Sequence, residues 1–207
     1  MSAGMLCAAS QVKAEENFRL LENPRHKRDW GDKRSRRVVF LAHCITNMNA
    51  RMHQCTQVFA ASATPLVKYC LDHDLGMAVM PCPEFLVTGL GRDRDMPEKD
   101  YLKQVLEEPV SRERIRKLAE QVVFQMKEYR YQGFDIVGLI GNDGSPSCGV
   151  DITAFADPNN RFGPGQGVFI QELRKLMKEA GIELPMKGID DEKVEDSVAW
   201  LDKKANK

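Results

Sequence analysis

The chain has 207 residues in which 30 basic side chains balance 30 acidic ones, so no net charge drives general binding to nucleic acid. That length buries a core without staples, and six cysteines are too few and too irregularly spaced for a secreted disulfide scaffold. No apolar run approaches the ~20 residues of a membrane helix, and residues 3–9, interrupted by glycine and followed by Lys13, Glu15 and Glu16, do not read as a signal peptide. The expected setting is the reducing cytoplasm, where cysteine clusters point to metal or redox chemistry.

Residues 1–36 read as a polar, basic N-terminal extension and residues 37–207 as a single α/β domain. A short helix is expected over residues 12–21. In the stretch after it Arg25, Lys27, Arg28, Lys33, Arg34, Arg36 and Arg37 outnumber Asp29 and Asp32. It reads as a solvated arm leading into the first strand, with contact to RNA or another partner as the competing reading. Residues 38–42 form an apolar strand, Cys44 opens a polar turn over 45–53, and a helix follows over 57–73 with Val58, Ala61, Leu66 and Cys70 toward the sheet. Pro65 either kinks that helix or starts a new one in its first turn.

Residues 77–80 give the second buried strand, ended by Pro81-Cys82-Pro83-Glu84, where two prolines fix the backbone around one cysteine. The charged segment 92–111, with Pro97 and Pro109, reads as a lid or a surface excursion carrying a short helix over 101–106. Ile115, Leu118, Ala119, Val122, Val123 and Met126 make the apolar stripe of a helix over 112–131, with Gly133 as its cap. The third strand, 136–140, leads into a glycine-rich turn over 141–149 that is expected to bring backbone amides to a ligand's negative charge.

The turn 162–167 precedes a helix over 168–180 ended by Gly181. It lacks both the Walker lysine and the dinucleotide spacing, so it reads as a binding wall or a structural loop. Residues 182–184 are expected to add a fourth parallel strand and 190–200 a last helix. These repeated βα units predict an α/β three-layer sandwich with a mostly parallel, Rossmann-like sheet.

Cys44, Cys82 and Cys148 each follow the end of a predicted strand, and ligands of such sheets bind beyond the carboxyl ends of the strands. Three converging thiolates without an obvious fourth protein ligand suit an iron-sulfur cluster with one open iron, or a catalytic zinc. Cys55 is a candidate fourth ligand, which would favour electron transfer or a structural role. Cys7 and Cys70 read as small core residues. His43 is expected to point away from the thiolates by strand alternation; were it to join them, the site would be a structural Cys3His zinc site. His53 reads as either a substrate contact or an exposed turn residue, and Glu84 has a plain reading as a helix N-terminal carboxylate.

Cys44 with Arg51 seven residues on, Cys82-Pro83-Glu84 with Gly89-Leu90 downstream, and Ser145-Pro146-Ser147-Cys148-Gly149 together resemble the DUF523 family, whose characterised members include thiouracil desulfurases. The Gly165-x-Gly167-Val168 turn and the Gly181-Ile182 pair match the same family's C-terminal pattern, so the resemblance covers about residues 38–184. It implies a [4Fe-4S] cluster held by Cys44, Cys82 and Cys148, with Glu84 and Ser145 as polar catalytic groups. The implied reaction is removal of sulfur, as hydrosulfide, from a thiolated nucleobase or related thioamide.

In that scheme a soft thiocarbonyl sulfur meets the open iron, water attacks the carbon, and Glu84 relays a proton. Ser145 would orient the heterocycle, and Ser147 would satisfy a backbone group. The expected partner is a small thiolated base or nucleotide, with the basic leader as a contact for a phosphate-bearing substrate or RNA. Two competitors stay open: a non-hydrolytic iron-sulfur protein carrying electrons, clusters or sulfur, and a relative of the 2-hydroxyacyl-CoA dehydratase components, for which the chain is short.

Overall fold

Branched apolar runs bounded by turn residues form the strands, and helical stripes fill the intervals between them. The computed structural model describes residue 31 and residues 33–58, 63–92, 101–156 and 161–206, without the side chains of residues 54, 55 and 58. The expected helix over 12–21, Cys7, Ala61, much of the basic arm and residues 93–100 of the charged segment lie outside the described residues. The first half of the chain carries β1 (Arg37–Ala42), α1 (His43–Thr46), a 3-10 turn (Met48–Ala50), α2 (His53–Val58), α3 (Thr64–Asp72), β2 (Gly76–Met80) and α4 (Pro83–Thr88). The second half carries α5 (Leu102–Glu107), α6 (Pro109–Tyr131), β3 (Asp135–Asn142), β4 (Ile152–Ala154), β5 (Phe162–Pro164), α7 (Val168–Glu179), β6 (Met186–Ile189) and α8 (Val194–Ala205).

The architecture is α/β, with a four-stranded sheet in the order β2-β1-β3-β6 whose neighbours are all parallel. α3 and α8 pack together on one side, and α6 and α7 pack together on the other, which makes three layers. Central strands covered on both faces must be apolar throughout rather than alternating. Accordingly Val38 to Ala42 of β1 are all buried, as are residues 136–141 of β3. Each fully buried Phe40, Leu41, Leu139 or Ile140 contributes about 1.5–3 kcal/mol. β4 and β5 form a separate antiparallel ribbon. Among the described residues no helix is long and apolar enough to cross a membrane.

Pro65 starts a new helix rather than kinking a long one: α2 and α3 are separate, and Pro65 lies in the first turn of α3. The fourth strand lies at Met186–Ile189, not at 182–184. Ile182 is taken by the closure of α7, where its N–H reaches Met177 O at 2.8 Å and the Gly181 N–H reaches Lys178 O at 3.1 Å, with Gly181 at φ 63°. That Schellman arrangement buries Ile182 as the capping apolar residue. The ladder therefore begins only at Pro185, whose carbonyl accepts from Leu139 N–H at 3.0 Å. The last helix is likewise displaced, to Val194–Ala205, because Asp190 makes a turn that accepts the Glu192 and Lys193 N–H groups at 3.0 Å.

Arg37, the last residue of the basic stretch, is structural: its guanidinium donates to Ala205 O and His73 O, both at 3.0 Å, at the ends of α8 and α3. The same two helices are joined by Tyr69 Oη, which donates to Asp202 Oδ1 at 2.9 Å. Burial, then that bond, pushes the Tyr69 hydroxyl up to about 12. Tyr69→Phe is expected to cost about 1 kcal/mol in a denaturant titration, and to remove from the ultraviolet titration a tyrosine that ionises near 12 rather than 10.0.

Candidate metal centre

The loops that leave β1, β2 and β3 at their carboxyl ends carry Cys44, Cys82 and Cys148. Beyond β1 the chain turns at once into α1, so the expected polar turn over 45–53 is instead a run of short helical turns. This also removes the basis for the alternation argument at His43, which is the first residue of α1; it is half-buried, and its Nε2 lies 3.3 Å from Asn47 Nδ2. His53 is exposed and pairs with Gln57 at 2.8 Å. Cys55 lies on α2 with its side chain outside the description.

After β2, Pro81 and Pro83 flank Cys82, which serves as the N-cap of α4, its sulfur accepting from Phe85 N–H at 3.4 Å. Proline at the first helical position needs no N–H partner, which lets α4 start directly on the cysteine. Glu84, in the first turn of α4, is only 5 % exposed and is no surface carboxylate. Its Oε2 accepts from Arg92 Nε at 2.9 Å, and its Oε1 accepts from Ser145 Oγ at 2.8 Å and Ser147 Oγ at 2.7 Å. Ser147 thus does more than satisfy a backbone group, and its Oγ also lies 3.4 Å from Cys148 Sγ.

The glycine-rich turn holds a cysteine instead of offering amides to a ligand. Its N–H groups have partners within the fold: Ser145 Oγ accepts from Ser147 and Cys148, Asn142 O accepts from Ser145, Ser145 O accepts from Gly149 and Ile152 O accepts from Gly144; just beyond the turn, Asp143 Oδ1 accepts from Val150, Asp151 and Ile152. The carbonyls of Pro146 and Ser147 in turn accept the first N–H groups of α7, at 3.0 Å from Val168 and Phe169. Two glycines are required by contact. A Cβ at Gly141 would stand 2.2 Å from Cys148 O, and one at Gly167 would stand 2.2 Å from the Ser147 carbonyl. Behind the loop Lys103 Nζ donates to Thr153 Oγ1 at 3.1 Å, and Thr153 Oγ1 donates to Ser145 O at 3.2 Å.

Cys148 is buried, Cys44 and Cys82 are half-buried, and the three thiols lie within electrostatic reach of one another. Burial pushes Cys44 up to about 12, helped by Cys82, Glu84 and Asp191 and opposed by Arg51. Burial raises Cys148 well above the usual thiol range, with Cys82, Cys44 and Glu84 acting in the same direction, and burial followed by Glu84 raises Cys82. The nearby guanidinium groups are engaged with carboxylates, Arg51 with Asp191 and Arg92 with Glu84. Three thiolates in this pocket therefore call for added positive charge.

Among the described residues no three His, Cys, Asp or Glu side chains form a group that could hold a single metal ion. Three thiols are nevertheless the donor type that iron-sulfur clusters use. Arg92 and Asp143 are the site residues that sequence reasoning missed. An arginine eight residues after a glutamate, across a glycine-broken turn, carries no periodic signal.

No family model matches the chain, and no solved structure matches it. An uncharacterized protein of Methanocaldococcus jannaschii is 25% identical to it over 117 residues, 56% of this chain and 70% of that protein.

Because folding raises the Cys44 thiol from 9.0 to about 12, its neutral form stabilises the metal-free chain below pH 9 and that contribution is lost as the pH rises toward 12. Thermal melts at rising pH should show Tm falling above pH about 9, and a flat profile would remove the buried-thiol account. Gly167→Ala should lower stability by at least about 1 kcal/mol by forcing the Ser147 carbonyl away, read from the same melts at neutral pH.

Proposed function

We propose that the chain is a [4Fe-4S]-dependent desulfurase that replaces the sulfur of a thiolated nucleobase or related thioamide with oxygen. The observation that carries this reading is that three thiols, Cys44, Cys82 and Cys148, lie within electrostatic reach of one another beyond three adjacent parallel strands. The resemblance of the Cys82-Pro83-Glu84 and Ser145-Pro146-Ser147-Cys148-Gly149 elements to DUF523 supports it. Thiolates are the usual ligands of iron-sulfur clusters, and three of them leave one iron of a four-iron cluster without a protein ligand. Cys70, the remaining described cysteine, is fully buried in the core.

In this reading Cys44, Cys82 and Cys148 hold the cluster, and what the cluster supplies when bound is a Lewis-acidic iron for a soft thiocarbonyl sulfur. Overall, thiocarbonyl and water become carbonyl and hydrogen sulfide. Glu84 takes a proton from the attacking water at Oε1 and returns it to a ring nitrogen or to the departing sulfur. Ser145, whose hydroxyl reaches that same oxygen at 2.8 Å, offers its hydrogen to the heterocycle when Oε1 takes up the water. The buried pair of Arg92 with Glu84 keeps bulk water from competing for the carboxylate. The substrate is a small thiolated base or nucleotide.

Anaerobic purification should yield about four irons and four sulfides per chain, with hydrosulfide release on adding 2-thiouracil or 4-thiouridine monophosphate. Cys44→Ala, Cys82→Ala and Cys148→Ala should each lose the cluster, whereas Cys70→Ala should retain it. Glu84→Gln should keep the iron and lower hydrosulfide release about 100-fold. A cluster with no hydrosulfide release would turn the reading to a carrier, and zinc or no metal would end it.

A further inference from the structure

We infer that Arg92 is a positioning residue for Glu84, and that the planar fork of its guanidinium, beyond its charge, sets where that carboxylate stands between the cysteine loops. Arg92 is 3% exposed. Its Nε donates to Glu84 Oε2 at 2.9 Å, its Nη2 to Ala50 O at 2.8 Å and its Nη1 to Leu90 O at 3.5 Å. Ala50 closes the 3-10 turn that follows Cys44, and Glu84 lies on the helix capped by Cys82. One side chain therefore fixes the Cys44 arm against the Cys82 helix. The other carboxylate oxygen, Oε1, extends the link to Ser145 and Ser147 of the Cys148 loop.

α4 has only six residues, and a glutamate side chain on it turns about three bonds. Holding Oε2 against a rigid guanidinium that is itself anchored on a backbone carbonyl leaves Oε1 one place to stand. A lysine ammonium at position 92 keeps the charge but has no fixed angle between its donors, so it cannot hold both acceptors in register. The turnover part of this inference rests on the desulfurase reading; the link between Arg92 and Glu84 does not.

The test uses the full chain with Arg92→Lys, Arg92→Gln, Glu84→Gln and the double variant R92Q/E84Q, whose neutral pair leaves no buried charge without a partner. In the iron-loaded protein Arg92→Lys is expected to keep its iron while kcat for hydrosulfide release from 2-thiouracil falls about 10- to 100-fold, with KM within about twofold. The double variant should turn over no more slowly than Glu84→Gln alone. In the metal-free chain Arg92→Gln should lower Tm markedly in the parent background and little in the Glu84→Gln background, because only the parent leaves a buried carboxylate unpaired. Wild-type kcat in Arg92→Lys would overturn the role of the fork. Additive effects, in either Tm or kcat, would overturn the action through Glu84. A parent chain that holds iron but releases no hydrosulfide would sink the desulfurase reading, and the Tm comparison would still decide the link.

Discussion

Taking a carboxylate out of water costs several kcal/mol unless a partner charge and hydrogen bonds offset it, and three segments of the chain offset it for Glu84. Arg92 meets one oxygen, Ser145 and Ser147 meet the other, and Arg92 is anchored in turn on Ala50. These contacts join the three cysteine-bearing loops to one another. Pulling any one of them away would leave a buried ion with fewer bonds, so each loop is held by the energy of all three.

The sheet order makes that junction possible. β1 is flanked by β2 on one side and β3 on the other, because the chain crosses from β1 to β2 and then back past β1 to β3. Sheets of this order bind ligands beyond the strand ends at such a switch point, which here falls between β1 and β3 with β2 next to β1. Their conformations are fixed locally as well. Pro81 and Pro83 set the Cys82 turn, Asp143 gathers three N–H groups, and α7 docks its first turn on the carbonyls of Pro146 and Ser147. Gly141 and Gly167 stand where no side chain fits against the backbone of the Cys148 loop.

What was legible in the sequence follows from local chemistry. Residues 38–42 and 136–140 read as strands because strands covered on both faces are apolar throughout, and α6 read as a helix because its stripe repeats along one face. The cysteines stood out because each follows a strand. What was missed depends on contacts distant in sequence or on a cap overriding a propensity. Residues 182–184 have apolar content suited to a strand, yet Ile182 is drawn into the closure of α7. Arg92 looks like any charged surface residue until Ala50, 42 positions away, and Glu84 are seen to accept from it. The glycine-rich turn promised free amides, but its own Asp143 and Ser145 consume them. His43 stands one residue past the end of β1, as the first residue of α1, where helical geometry rather than strand alternation sets its direction.

In the proposed reaction Glu84 carries a proton although its two oxygens already accept three hydrogen bonds, and the serines resolve that tension. Ser147 has one hydroxyl hydrogen and three neighbours that can take it: Glu84 Oε1 at 2.7 Å, Ser145 Oγ at 3.1 Å and Cys148 Sγ at 3.4 Å. Rotation about its Cβ–Oγ bond moves that hydrogen from the carboxylate to a neighbour without displacing a heavy atom. An acceptor site on Oε1 is then open to an incoming water, while Arg92 still holds Oε2. Ser145 is more constrained, because its oxygen already accepts the Ser147 and Cys148 N–H groups and its hydrogen has fewer places to go. In the proposed reaction both serine hydrogens can therefore leave Oε1, that of Ser147 for a neighbour within the site and that of Ser145 for the substrate, while Arg92 keeps the carboxylate in place.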